Sequence, residues 1–144
     1  MKASEDNRNQ LIGVWRVVSV QIRDEDTGEM SDLHGPDPRG FAVFSPEGRL
    51  AIIFTASGRT LPANEGEAAA LFRDMSAYTG RFILTEDQIV TEVDVAWHPA
   101  WDNSQQPRFY KLEGDRLTLS TGVQDHPSRP GVRLRGFVVW TRER

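Results

Sequence analysis

The feature that most constrains the fold is a series of short segments rich in β-branched and aromatic residues, separated by turns. Tight turns are indicated at 46–48 and 114–115, and only one helical signal interrupts the series. The pattern predicts about eight antiparallel strands in a closed barrel or a sandwich, and closure removes exposed strand edges. The predicted strands are 13–22, 41–45, 50–55, 81–85, 89–97, 108–113, 116–121 and 134–141.

The one helical signal follows Asn64, which with Glu67 three residues later resembles a capping box. Good helix formers continue over 68–72. The side chains that share one face of this helix, and that would rest on the barrel, are Leu71, Phe72, Met75 and Tyr78. The sequence therefore predicts one short helix packed on an all-β domain.

Length and composition favour one intracellular domain. The chain has 144 residues, enough for a single core. Residues 1–10 are polar and predict a disordered tail before a domain over 11–144. The net charge of −4 argues against a nucleic-acid partner, and no apolar run is long enough for a membrane span. The chain has no cysteine and no signal-peptide pattern, so we expect a cytoplasmic protein without disulfides.

Six segments in order resemble the bacterial and fungal lipocalin-like domain family, which is built as one calycin-type up-and-down barrel. They are 11–19, 35–41, 44–48, 77–82, 99–101 and 112–119. The resemblance covers nearly the whole chain. It implies an enclosed site for a small molecule but no particular reaction, and some members occur beside natural-product pathways.

Gly13-x-Trp15 resembles the lipocalin barrel-floor signature, in which the Trp closes one end of the barrel. An Arg from the end of the last strand packs across that Trp, and Arg142 matches it. The resemblance implies a structural role for both residues.

If Trp15 points inward, alternation along the first strand places Ser19 and Gln21 in the lumen as well. Val18, Val20 and Ile22 then point outward. An exposed apolar row needs a cover, and the segments 50–55 and 137–140 are also apolar on both faces. These patterns predict a homodimer.

Glu92 and Asp94 lie two residues apart in a strand, so both face the same side. One interpretation is a solvated acidic face over an apolar core. The other places both carboxylates in the lumen, where burial raises one pKa and the pair acts as general acid and base. The family resemblance, with polar residues at matching positions, supports the second. Arg108 is then the expected ion-pair partner, with a weak salt bridge at the rim as its alternative.

Aromatic residues gather where the acidic strand ends, and they suit a planar ligand at the barrel mouth. The candidate ligand-binding residues are Gln21, Tyr78, Trp97, His98, Trp101 and Tyr110. For Trp97, His98 and Trp101 the alternative is loop packing around Pro99. For Tyr78 and Tyr110 it is core packing.

The three histidines, His34, His98 and His126, have no metal-ligand spacing, so we expect no metal site and no cofactor. Two functions stay open. The first is binding of a small, largely apolar molecule with a polar end. The second is a cofactor-free cyclase, isomerase or decarboxylase acting on an apolar metabolite, in which Asp94, Glu92 and Arg108 are catalytic. A structural dimer module is a third, weaker interpretation.

Overall fold

The computed structural model describes residues 5–127 and 129–144. The helices are α1 (Glu5–Leu11), α2 (Glu65–Arg73) and a 3-10 helix (Pro99–Trp101). The strands are β1 (Gly13–Asp24), β2 (Met30–Asp32), β3 (Arg39–Phe44), β4 (Arg49–Thr55), β5 (Met75–Leu84), β6 (Gln88–Ala96), β7 (Gln105–Glu113), β8 (Arg116–Ser120), β9 (Gln124–His126) and β10 (Arg129–Arg142). None of the described helices is long and apolar enough to cross a membrane.

The strands form one antiparallel sheet that closes on itself. The order around the ring is β1-β3-β4-β5-β6-β7-β8-β10, and β10 pairs back with β1. The short strands β2 and β9 extend the sheet beside β1 and β10, at the end of the barrel that contains Asp24 and Leu134. The predicted all-β, lipocalin-like barrel is therefore confirmed.

The other end of the barrel is closed by Trp15 and Arg142, as the sequence predicts. Trp15 is fully buried, and its Nε1 donates a hydrogen bond to the Leu11 carbonyl oxygen at 2.9 Å. The Arg142 Cζ lies 4.3 Å from the centre of the indole, within cation–π range. Arg142 also donates to the backbone oxygens of Gln10 and Ile12. These contacts form the floor of the barrel.

The N-terminal segment differs from the prediction of a disordered tail. Residues 5–10 belong to α1, whereas residues 1–4 lie outside the described residues. An isolated helix of seven residues is marginal in water. Here the floor contacts to Gln10 and Leu11 hold the helix against the barrel.

A β-bulge in β1 reverses the predicted faces of its second half. The pairing with β10 shifts register between Val17 and Ser19. Beyond the shift Val20 is 2% exposed and Ile22 is buried, whereas Val18 is 49% exposed. Gln21 lies between the two buried residues and is exposed. The prediction that Gln21 faces the lumen and Val20 the outside is wrong, because one extra residue moves all later side chains to the opposite face.

The predicted start of α2 and its place against the barrel are confirmed, but two of the four residues of the predicted apolar face lie beyond the helix. The Asn64 side chain accepts a hydrogen bond from the Glu67 backbone N–H at 2.9 Å. The helix ends at Arg73, and the chain then pairs with β4 from Met75 onward, so Tyr78 belongs to β5. All residues of α2 are exposed or half-buried.

Candidate ligand cavity and its mouth

The barrel encloses a narrow cavity of about 40 Å³. Most of its wall is apolar and comes from alternate residues of the strands, which point inward. The main apolar side chains are Ile22, Ile52, Phe54, Leu119, Leu134 and Trp140. The polar residues that border the cavity are Gln21, Tyr78, Arg108, Thr121, Gln124 and His126. The lumen thus combines an apolar body with a few polar groups, as ligand pockets do.

Tyr78 and Arg108 bring hydrogen-bonding groups into this apolar lumen. Tyr78 is buried on β5, and burial raises the pKa of its hydroxyl while the nearby Arg108 charge lowers it. The Arg108 guanidinium donates to the Pro107 carbonyl oxygen at 2.9 Å and to the Gln106 side chain. Its Cζ lies 5.6 Å from the centre of the Trp101 ring. Tyr78 therefore keeps a neutral hydroxyl at neutral pH, next to a cation.

Four rings meet at the mouth of the barrel. Trp101 lies 5.2 Å from Trp97 and 5.1 Å from His126, between ring centres, and both contacts are edge-to-face. The Trp97 Nε1 donates to the Phe72 carbonyl oxygen, and the His98 Nδ1 accepts from the Ala100 N–H at the start of the 3-10 helix. The structure thus brings Trp97, His98 and Trp101 together, although the His98 ring nitrogen serves as a helix cap.

His126 belongs to this cluster, and the sequence reasoning missed it. Its Nε2 lies 3.3 Å from the buried Ser76 hydroxyl. Burial lowers the pKa of His126 to about 3, with a smaller contribution from Arg108, so the ring is neutral at neutral pH. In sequence His126 is a lone histidine in a predicted loop. Only the pairing of β9 with β10 places it at the mouth.

An open groove of about 740 Å³ lies outside the cavity, at the mouth. The groove and the cavity share three lining residues, Trp101, Gln124 and His126. These residues form a partition between the groove and the lumen.

His34 is a second buried histidine near the mouth. Its Nδ1 lies 2.9 Å from Asp74 Oδ1, just after α2, and its ring contacts Phe54 of the cavity wall. Burial lowers the pKa of His34, although the hydrogen bond to Asp74 opposes the shift. The contact joins the segment after β2 to the end of α2.

Glu92 and Asp94 lie on the outer face of the barrel, so the interpretation that places them in the lumen is wrong. Asp94 binds Arg49 and accepts a hydrogen bond from the Thr79 hydroxyl at 2.7 Å. These contacts lower its pKa to about 2. The expected ion pair with Arg108 does not form, because Arg108 faces the lumen.

A second β-bulge lies at Asp94 and turns the next residue outward. The pairing of β5 with β6 shifts between Thr79 and Gly80, which leaves Asp94 as the extra residue and places Val95 outside, 64% exposed. A Cβ at Gly80 would lie 2.2 Å from the Glu92 carbonyl oxygen. Glycine at position 80 therefore permits the close approach of the two backbones.

Two further candidates lie away from the centre of the cavity. The Tyr110 hydroxyl donates to the Thr85 carbonyl oxygen at 2.8 Å and accepts from Asn7 of α1, which matches its alternative interpretation as a packed tyrosine. Gln21 borders the cavity but is exposed to solvent.

Comparison with known proteins agrees with this architecture. A family model for the lipocalin-like domain matches residues 12–143. The chain belongs to this family. Among curated proteins, this lipocalin-like chain is similar to the 4′-hydroxy-3′-methoxypropiophenone carrier protein of Aspergillus oryzae. The two are 32% identical over 91 residues, which cover 57% of this chain and 79% of the relative.

Membership of the lipocalin-like family and a closed barrel with a lined lumen point to the binding of a small molecule. The similar protein is, by its name, a carrier of 4′-hydroxy-3′-methoxypropiophenone.

Proposed function

We propose that this lipocalin-like protein carries a small, largely apolar molecule inside the barrel, with an oxygen-bearing end at Tyr78 and Arg108. The observation that carries the proposal is the apolar lumen of a closed barrel, with a buried hydroxyl and a guanidinium among its lining groups. A guanidinium donates strong hydrogen bonds to carbonyl and phenolic oxygens, whereas an apolar wall selects against strongly hydrated molecules.

The similar carrier protein suggests an aromatic ketone as the ligand class. Its named cargo combines an aromatic ring, a short alkyl chain and several oxygens. Edge-to-face contacts from the aromatic residues of the wall suit such a ring.

The size of the cavity requires that binding opens the barrel mouth. A cavity of about 40 Å³ has room for a few water molecules, each of which needs roughly 10–15 Å³ of such space, and it is too small for an aromatic ketone. Movement of the partition formed by Trp101, Gln124 and His126 joins the cavity to the groove outside. We therefore propose that ligand and partition compete for the same space.

The test is calorimetric titration with 4′-hydroxy-3′-methoxypropiophenone. We expect the unmodified protein to bind, and Arg108→Ala to weaken binding about tenfold, because a hydrogen bond to a charged group is lost. The matched control is Arg81→Ala, an exposed arginine on β5, which should bind as the unmodified protein does. Full affinity in Arg108→Ala would remove Arg108 from the site. Absence of binding to the unmodified protein would remove this ligand class.

We further propose that the outer face of β1, β3, β4 and β6 binds a second copy of the chain. An outer apolar stripe crosses these strands and consists of Val14, Phe41, Val43, Ile53 and Val95, all more than a third exposed. The strand registers place these residues in adjacent rows. Between Val43 and Val95 the row passes through Ala51 and Thr79, and an exposed, largely apolar patch of this kind is typical of an interaction surface.

The charges beside the stripe favour a second copy over an unrelated partner. Arg16 pairs with Glu143 at 3.3 Å on one side, and Arg49 pairs with Asp94 on the other. Each side therefore offers both signs of charge. A two-fold axis brings a patch onto its own copy, and mixed charges at both sides are then complementary to themselves.

Sedimentation at micromolar concentration tests the dimer. We expect a dimer mass for the unmodified protein and a monomer mass for Ile53→Lys, because a lysine in the stripe is desolvated on association. Ile83→Lys is the matched control, because Ile53 is 49% exposed and Ile83 is 53% exposed on the outer face, but Ile83 lies beyond Arg81 and outside the stripe. A monomer mass for the unmodified protein would contradict the proposal.

We also propose a cytoplasmic location, which suits a chain without cysteine.

A further inference from the structure

Trp140 has a property that its role in the core does not explain. The residue is fully buried on β10 and lines the cavity. The indole nitrogens of Trp15 and Trp97 donate to backbone oxygens. The Nε1 of Trp140 has no hydrogen-bond partner among residues 5–127 and 129–144.

A buried donor without an acceptor costs free energy, and folded proteins contain few of them. The ring itself packs edge-to-face on Phe54, with 6.0 Å between ring centres. A phenyl ring at position 140 supplies such a contact without the unpaired N–H. The packing therefore accounts for an aromatic residue here but does not account for the indole nitrogen.

The position of Trp140 in the ring of strands supplies the second observation. Around the barrel, β10 and β5 are four strands apart in either direction, so they form opposite walls. Tyr78 lies on β5 and Trp140 on β10, and both line the cavity. The cavity residues Ile52 on β4 and Leu119 on β8 are apolar, whereas Arg108 lies on β7, two strands from either wall. The lumen therefore has a hydrogen-bonding group on each of two opposite walls.

We infer that Trp140 Nε1–H binds an acceptor oxygen of the ligand, and that this oxygen lies at the end opposite the one held by Tyr78 and Arg108. The inference rests on the proposed function and narrows its ligand class. The ligand is a flat, apolar molecule with an oxygen at each of two opposite ends. A molecule with a single oxygen satisfies only one wall.

Four probes of nearly equal shape separate the two walls: propylbenzene, propiophenone, 4-propylphenol and 4′-hydroxypropiophenone. Propylbenzene carries no oxygen, propiophenone carries a ketone, 4-propylphenol carries a hydroxyl, and 4′-hydroxypropiophenone carries both groups. Calorimetry with the unmodified protein should show about a tenfold gain in affinity for each oxygen. Trp140→Phe should abolish the gain in affinity that one of the two oxygens gives and keep the gain that the other oxygen gives. Tyr78→Phe should show the reverse pattern.

A second measurement needs no variant. With 15N-labelled tryptophan, the Trp140 indole N–H resonance should move downfield when 4′-hydroxypropiophenone binds and stay near its original position with propylbenzene. The same movement with both probes would contradict the inference.

Two results with Trp140→Phe would overturn the inference and leave the proposed function standing. Equal weakening of all four probes would mean that the indole only fills volume. Unchanged affinity for all four would mean that the N–H takes no part. Failure of all four probes to bind the unmodified protein would instead remove the proposed function, and this inference with it.

Discussion

The two ends of the barrel use the same pair of residue types for different purposes. At the floor, Arg142 lies 4.3 Å from the Trp15 ring centre and also donates to backbone oxygens of Gln10 and Ile12. At the mouth, Arg108 lies 5.6 Å from Trp101, and its other partners are Gln106 and the adjacent Pro107. The floor pair ties distant parts of the chain together, whereas the mouth pair is local. The comparison indicates that the Arg–Trp contact stabilises the floor because Arg142 also binds backbone that is distant in sequence, whereas Arg108 binds only neighbouring residues in this way.

The largest expected effect on stability comes from a substitution at the floor. Arg142→Ala removes hydrogen bonds from a charged group as well as the cation–π contact, so the free energy of unfolding should fall by about 2–4 kcal/mol. Arg108→Ala should change it by less than about 1 kcal/mol, because its partners are neighbours in sequence. Urea unfolding of the two variants compares the ends directly. Equal losses would contradict the distinction.

A change of pH should weaken the mouth selectively. The folded-state pKa of His126 is about 3, against 6.5 for an ordinary histidine, so the unfolded chain binds the proton first as the pH falls. The stability that neutral His126 gives is present above pH 6.5 and is lost progressively between about 6.5 and 3. His34 acts in the same direction, since burial lowers its pKa too.

The measurement compares the unmodified protein with His126→Gln at pH 7 and pH 5. Between these two pH values the unmodified protein should lose about 1–2 kcal/mol more of its free energy of unfolding than His126→Gln loses. The reason is that each pH unit in this window changes the free energy by up to ~1.4 kcal/mol. Hydrogen exchange should rise first over 122–131 and later at the floor. A parallel loss in both proteins would show that His126 does not cause the effect.

The smallest effect is expected on the outer face. Asp94→Asn removes the ion pair with Arg49 but touches neither end of the barrel. Ligand affinity, measured by the same calorimetry, should stay unchanged. A large loss of affinity would reopen the possibility that the acidic strand serves the ligand site.

The sequence predicted the barrel and the cap at Asn64 because both rest on local signals, and the family resemblance implied the floor of Trp15 and Arg142. The prediction from sequence failed where one extra residue in a strand moves the following side chains to the opposite face of the sheet. The bulges at Val18 and Asp94 each follow an unbroken alternating pattern, so nothing in the letters marks the shift. The error over Gln21 has this cause, whereas Glu92 and Asp94 face outward in the ordinary alternation of β6, and the second bulge displaces Val95.

The mouth could be predicted only in part, for a different physical reason. Trp97, His98 and Trp101 are close in sequence, so their clustering was visible. His126 and Ser76 lie 50 residues apart and meet only because the ring closes. Contacts of this kind depend on strand pairing across the whole fold.

The attachment of β9 bears on how quickly cargo leaves. This strand carries two of the three partition residues, Gln124 and His126, and in the described structure it pairs with β10 alone. Displacement of β9 would break its pairing with β10 and the His126 contacts to Ser76 and Trp101, and would leave every pairing that closes the ring intact. On the proposed function, we expect the opening rate of β9 to set the residence time of a bound molecule and the lumen wall to set its affinity, so the two quantities can be changed by substitutions at different places in the fold.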